Sequence, residues 1–300
     1  MNRSHMGRKI FSVLMAGMFV AVLVLNNMGG LYKKAVNIDA VNIPNVDSTI
    51  SGVHDPIVVN SDITIELSGV TIEGTSGDPT PIIVENGVTL NLVFSGNNTL
   101  TAVSNIASAG IYVKNGATIN IYGRTGATLT ITGGKYGAGI GGVGFQNHQA
   151  VPYQVCGVIN IYSGTIVSRG GDSAAGIGSG RCVDGNEINI YGGDITAVGG
   201  ISAAGIGSGY GTSGGAAGHE VGSHTAGTIN ITGGRVRASC GNIDFDAIDI
   251  YDPDTFSFNN GFGAGIGGGY GATSGTIYIG GDADVLAVGQ CGGAGIGSGR

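Results

Sequence analysis

"VENGVTLNLVFSGNNTLT" (Val84–Thr101) and "VKNGATINIYGRTGATLT" (Val113–Thr130) superimpose at an offset of 29 residues. Each opens on a glycine turn and continues as two short runs in which apolar and polar residues alternate, split by a second glycine. That pattern reads as a pair of half-buried strands. Upstream, "VVNSDITIELSG" from Val58 is a degenerate copy. Downstream the first run recurs as "VINIYSG" from Val158, "EINIYGG" from Glu187, "TINITGG" from Thr228 and "TIYIGG" from Thr276. The second run recurs as "TIVSRGG" from Thr165, "DITAVGG" from Asp194, "RVRASCG" from Arg235 and "DVLAVGQ" from Asp284. A further series is the Ile of A-G-I at 111, 140, 177, 206, 266 and 296, in steps of 29, 37, 29, 60 and 30. The unit is therefore about 29 residues, lengthened in some copies and doubled at one step.

Strands this short cannot each bury a face alone, but stacked coils share one continuous apolar interior. The spacing predicts an all-β chain folded as a right-handed parallel β-helix, a β-solenoid with about 29 residues and three short strands per coil. A propeller needs four longer strands per repeat of 40 to 50 residues and fits less well. The solenoid is expected over residues 46–300, with less glycine-rich coils in 46–110 and glycine-rich A-G-I-G coils in 111–300. Arg300 follows an uncapped corner in mid-repeat, so the solenoid is expected to continue in a longer protein or to be closed by another molecule.

Composition agrees with a folded, glycine-punctuated chain. There are 61 glycines in 300 residues but only 6 prolines and no Gly-X-Y period, which excludes collagen. Hydrophobic residues reach 42% and charged residues only 11%, too apolar for a disordered chain. A net charge of -7 without a basic stripe argues against nucleic acid as a partner. At the N-terminus, Arg3, Arg8 and Lys9 precede the apolar run Ile10–Leu25. Residues 1–34 thus read as an export signal or an N-terminal membrane anchor through residues 10–32, and 35–45 as a linker. The remainder is expected outside the cell, secreted or at the cell surface. Cys156, Cys182, Cys240 and Cys291 suit an oxidising compartment and lack CxxC spacing. Cys156 and Cys182, 26 residues apart, are candidates to pair across adjacent coils. Cys240 and Cys291 form a weaker candidate pair, and buried thiols are the alternative.

"GIGGVG" (Gly139–Gly144) satisfies the GxGxxG pattern of dinucleotide loops. Such a loop occurs once and opens a helix, whereas this string recurs and no helical period follows it. It reads instead as a tight corner, with Ala and Ile pointing inward and glycine supplying positive φ or close backbone approach.

Because side chains alternate along a strand, the two Ile of "INIY" face inward and Asn faces out. Asn120, Asn160, Asn189 and Asn230 are expected in one exposed column, with Tyr122, Tyr162 and Tyr191 in a parallel one. Amides beside aromatic rings suit a polysaccharide, the rings stacking on sugar C–H faces and the amides bonding hydroxyls. Such ladders also stabilise solenoids without any ligand. Arg181, Tyr210, Tyr270 and Arg300 follow the glycine string and are candidates for a planar rim against sugars, or for a solvated corner. Three stretches, 145–157, 210–227 and 241–261, read as loops inserted into the scaffold. The last carries Asp244, Asp246, Asp249, Asp252 and Asp254, a candidate calcium site without EF-hand spacing, or else a solvated acidic loop. His219, Glu220 and His224 are a poor zinc arrangement, and no metal is expected there. No cofactor is required by any motif; calcium is the one possible ion.

"ITIELSGVTIEG", "AGIYVKNGATINIYG" and "GAGIGGG" carry a resemblance, over about Asp62–Arg300, to glycine-rich exported bacterial proteins with a carbohydrate-binding domain. The resemblance implies a right-handed parallel β-helix that binds acidic plant polysaccharide with Ca²⁺. It transfers no individual calcium or sugar residue. Three readings follow: an extracellular carbohydrate-binding or adhesin module, a structural stalk that displays other domains, and a polysaccharide lyase or hydrolase. The last is disfavoured. Asp172, Asp184, Asp194 and Asp282 fall at unlike repeat positions, and no Lys follows Lys135 to serve as base.

Overall fold

Period-two alternation becomes one-sided burial. In Thr118–Gly123, Ile119 and Ile121 are fully buried while Thr118, Asn120 and Tyr122 remain partly exposed. The computed structural model describes residues 44–145, 155–211, 224–241, 262–290 and 292–299. Among these the regular structure is all strand, with no helix, and every strand pair is parallel.

Two sheets carry the architecture. The larger has fourteen strands and two arms that share Ile63–Glu73. One arm runs from that strand through Thr89–Ser95, Thr118–Gly123, Val158–Ser163, Glu187–Ile190 and Thr228–Ile231 to Thr276–Ile279. The other runs through Asn97–Thr101, Thr128–Thr132, Thr165–Arg169, Asp194–Val198 and Arg235–Ser239 to Asp284–Val288. Ser48–His54 pairs with Ile63–Glu73 as well. The smaller sheet stacks eight strands from Ile57–Val59 to Ile296–Gly297. Like residues meet like in register, Ile119 with Ile159, Ile188 with Ile229 and Ala197 with Ala238. The inward rows merge into one apolar core that extends along the stack. This is a parallel β-stack of solenoid type.

The glycine string is not a corner. Ile140–Gly141, Ile177–Gly178, Ile206–Gly207, Ile266–Gly267 and Ile296–Gly297 are strands of the smaller sheet. Gly141 stands opposite Tyr112 of the Ile111–Val113 strand. The five glycines share φ between 126° and 137°, where an L side chain is strained. A Cβ at Gly141, Gly178, Gly207 or Gly267 would also overlap the carbonyl oxygen of the glycine one rung on. Backbone packs on backbone here, so both conformation and space demand glycine.

The 60-residue step is not a doubled repeat. Ile206 pairs directly with Ile266, so one turn of the stack carries both long insertions. The cysteine pairing is also corrected: Cys156, Cys182 and Cys240 stand as thiols. Val155 bridges to Asp184, and Cys156 N–H donates to Asp184 O at 3.0 Å. Cys156 is thus level with Gly185, and its 26-residue offset leaves Cys182 three positions out of register. Burial, with the nearby charge of Asp184 adding to it, pushes the Cys156 thiol up to about 11, which makes it unreactive. Cys291, Arg300, the proposed signal segment and residues 35–43 of the linker lie outside the described residues.

Candidate functional site: an amide and tyrosine face

The outward row of the first arm is a hydrogen-bonded ladder. Asn120 Nδ2 donates to Asn91 Oδ1 at 2.9 Å, Asn160 to Asn120, Asn189 to Asn160 and Asn230 to Asn189, the last three at 2.8 Å. Asn91 Nδ2 closes the N-terminal end on Thr64 Oγ1 at 3.2 Å. Strands about 4.8 Å apart set carboxamides at a spacing that one N–H···O bond bridges. Asn189 Nδ2 also donates to Glu187 Oε1 at 3.0 Å. A carboxamide has two N–H groups and two oxygen lone pairs, so each ladder bond leaves part of that capacity for an outside partner. Asn91 was not among the residues singled out from sequence, although the 29-residue alignment places it opposite Asn120.

Two positions along the strand, Tyr122 and Tyr162 stack at 4.7 Å between centroids and 4° between planes, and Tyr162 and Tyr191 at 4.9 Å and 19°. The expected column exists, yet its geometry changes what it can do. Both faces of Tyr162 are covered by its neighbours, so this ring offers its edge and hydroxyl and not a C–H stacking surface. Burial, with the neighbouring Tyr162 adding to it, pushes the Tyr122 phenol up to about 12. Among the described residues, Tyr191, 47% exposed, has one face uncovered by tyrosine because Thr232 follows it in the row.

At the N-terminal end of the row an ion pair replaces the rings. Arg124 Nε and Nη2 donate to Glu66 at 2.7 and 2.8 Å, holding its carboxyl below the usual range. Thr89–Ser95 lies between Ile63–Glu73, which carries Glu66, and Thr118–Gly123, which Arg124 follows, and Val93, opposite Glu66 and Tyr122, is fully buried despite its outward parity.

The residues that follow the glycine string form a second column. The Arg181 guanidinium lies 4.8 Å from the Tyr136 ring centroid and 5.4 Å from that of Tyr210. Tyr210 stacks on Tyr270 at 5.5 Å, and Phe262 tilts against Tyr270 at 5.5 Å. Backbone bonds from Arg181 N to Tyr136 O, Cys182 N to Tyr210 O and Gly211 N to Tyr270 O hold the rungs level. Arg181, Tyr210 and Tyr270 are therefore together, although they do not join the Asn and Tyr rows. Tyr136 and Phe262 carried no repeat signal, because they precede the Ile of A-G-I by four residues and Ser173 and Ser202 occupy that place elsewhere. Tyr136, Ser173 and Ser202 share φ of 64° to 66° there.

Asp244, Asp246, Asp249, Asp252 and Asp254 lie outside the described residues, as do His219 and Glu220. His224 is buried, with Nδ1 3.5 Å from Asp184 Oδ1, an oxygen that also accepts the Thr225 N–H at 2.7 Å. Among the described residues no three His, Cys, Asp or Glu gather as a metal cluster. Comparison with family models, with curated proteins and with solved structures finds no match for this chain. Its class is defined by the fold alone: an all-β parallel stack with ladders on its outer faces.

Proposed function

We propose that the protein is an extracellular carbohydrate-binding or adhesion module that presents a repetitive solenoid face to polysaccharide. It belongs with the glycine-rich exported proteins it resembles in sequence. In this reading the stack is a right-handed parallel β-helix with three strands and about 29 residues per coil, lengthened by insertions. The order of strands in the two sheets supports that coil, as does the 29-residue separation of Asn91 from Asn120 and of Asn160 from Asn189. Export through residues 1–34 places it in the secreted or surface-bound fraction.

The observation that carries the function is the continuous row of five asparagines, hydrogen-bonded in one direction and partly open to solvent except at the buried Asn189, beside a row of tyrosine hydroxyls. Sugar hydroxyls both donate and accept, and a periodic row of amides and phenols answers both roles. Contact through hydroxyl edges replaces ring stacking along the covered part of the column. Calcium, where it contributes, would come through the acidic segment Asp244–Asp254. A ligand-free stalk is the second reading, and the way the ladders satisfy one another favours it.

Retention of the full chain on immobilised neutral and acidic polysaccharides, with and without chelator, tests the proposal. Binding to at least one glycan supports it. Absence of retention on every glycan leaves the stalk. Release of unsaturated sugar would instead indicate a lyase.

A further inference from the structure

The Asn and Tyr rows end at the same place, and both end unfinished. In the tyrosine row, Tyr191 is followed by Thr232 and Gly280, kept level by Thr232 N to Ile190 O and Gly280 N to Ile231 O. One face of Tyr191 lies on Tyr162, and the other looks toward the rung of Thr232, where no ring of the described residues stacks on it. In the asparagine row, Asn230 donates to Asn189, but the residue opposite it on the next rung is Tyr278. The Asn230 Oδ1 is thus the acceptor end of a ladder whose bonds all run one way, an arrangement that strengthens its terminal acceptor.

Tyr278 does not continue the Asn row. Its ring leans along the strand over Gly280, so that a Cβ built on Gly280 would lie 2.7 Å from Tyr278 Oη and 2.9 Å from Cζ. That brings the hydroxyl end of the Tyr278 ring over the Gly280 position of the tyrosine row, two rungs beyond Tyr191. Two rungs span about 9.6 Å. This is wide enough for one six-membered ring held at about 4.5–5 Å from each aromatic. Thr232 and Asn230 form the floor and offer a hydroxyl and the ladder's terminal carbonyl.

Resting on the carbohydrate reading above, we infer that Tyr191, Thr232, Asn230 and Tyr278 form a slot for a single pyranose unit of a neutral, β-linked polysaccharide. A pyranose with equatorial substituents has flat C–H faces for the two tyrosines and an edge hydroxyl to donate to Asn230 Oδ1. Charge sets the class. The Glu187 carboxylate is held on Asn189, and no Lys or Arg occurs in 187–192, 228–233 or 276–282. A uronate would stand near the Glu187 carboxylate with no Lys or Arg on these strands to offset the repulsion, whereas a neutral sugar would not be repelled.

The test titrates the full chain with cellohexaose and hexagalacturonate, using wild type, Tyr191→Ala and Thr232→Tyr, with circular dichroism to verify folding. Thr232→Tyr extends the ring column into the slot and blocks it while leaving both rows intact. Wild type is expected to bind cellohexaose more tightly than hexagalacturonate, and each variant to lose at least about tenfold in affinity. Should Thr232→Tyr fail to fold, Tyr191→Ala gives the same reading. Cellohexaose affinity unchanged in the folded variants overturns the slot, as does preference for hexagalacturonate, and both leave the wider carbohydrate reading standing. Failure of wild type to bind either probe overturns the slot; if polysaccharide retention is also absent, the wider reading falls with it.

Discussion

The stack is filled in two different ways along its length. Every fully buried Leu and Phe among the described residues, Leu67, Leu90, Leu92, Phe94, Leu100 and Leu129, lies before Ile131. Beyond Ile140 the interior is built from Ile and from fully buried alanines such as Ala174, Ala175, Ala203, Ala204 and Ala264. In the first region side chains hold the strands apart and interlock, as Phe94 does by occupying space that Gly123 and Gly164 vacate on the next two rungs. In the second, Ile–Gly strands let backbone rest on backbone. A parallel stack can therefore be closed by volume or by its absence, and glycine in the second region plays the structural part that leucine plays in the first.

Substitutions on either side of that divide test it. The largest effect is expected at Gly178→Val, whose Cβ would overlap the Gly207 carbonyl oxygen at a φ of 134°. Strain and overlap together should cost about 5 kcal/mol or prevent folding, read by denaturant unfolding. A stability within about 1 kcal/mol of wild type would show that the second region has slack the geometry denies. Phe94→Ala should cost about 3–5 kcal/mol in the same assay, since the flanking glycines have no side chains to fill the void. A small loss there would mean that the first region collapses as readily as a backbone-packed one.

Ladder effects are smaller. Asn160→Ala removes one bond to Asn120 and one from Asn189 and should cost about 1–3 kcal/mol. A neutral result would mean that water replaces the rung at no loss, and that the row is maintained for a ligand. The smallest effect is electrostatic. Because the folded Tyr122 phenol titrates above its reference value of 10.0, near about 12, its contribution is complete below pH 10. It is lost as pH rises through the folded value, because the unfolded chain sheds that proton first. Tyr122→Phe should flatten the fall in thermal stability over that window, and an identical fall in the variant would place the titration elsewhere.

Much of the fold was legible because its cause is local and repeated. Alternation in "TINIYG" determines which side chains face inward, and recurrence places like residues on like rungs, so the parallel β-stack, the Asn row and the Tyr row follow from pattern. What escaped the pattern has no repeat to announce it. Tyr136 enters the aromatic column from a position held by serine elsewhere, and Val93, outward by parity, is buried between Glu66 and Tyr122 on the neighbouring rungs. The pairing of Cys156 with Cys182 was misread because spacing near one repeat is not register, and parallel strands admit no slip of three residues.

Sequence by itself determined the stacking and the identity of the rows, since periodic burial leaves a periodic chain few other ways to hide its apolar side. Only the tertiary structure decided that the glycine string is a strand, that a 60-residue step is a single turn, and that stacked tyrosines cover one another's faces. Those outcomes depend on distances between rungs and on the direction in which rings lean. Contacts between residues 29 to 60 positions apart set both, and no short stretch encodes them alone.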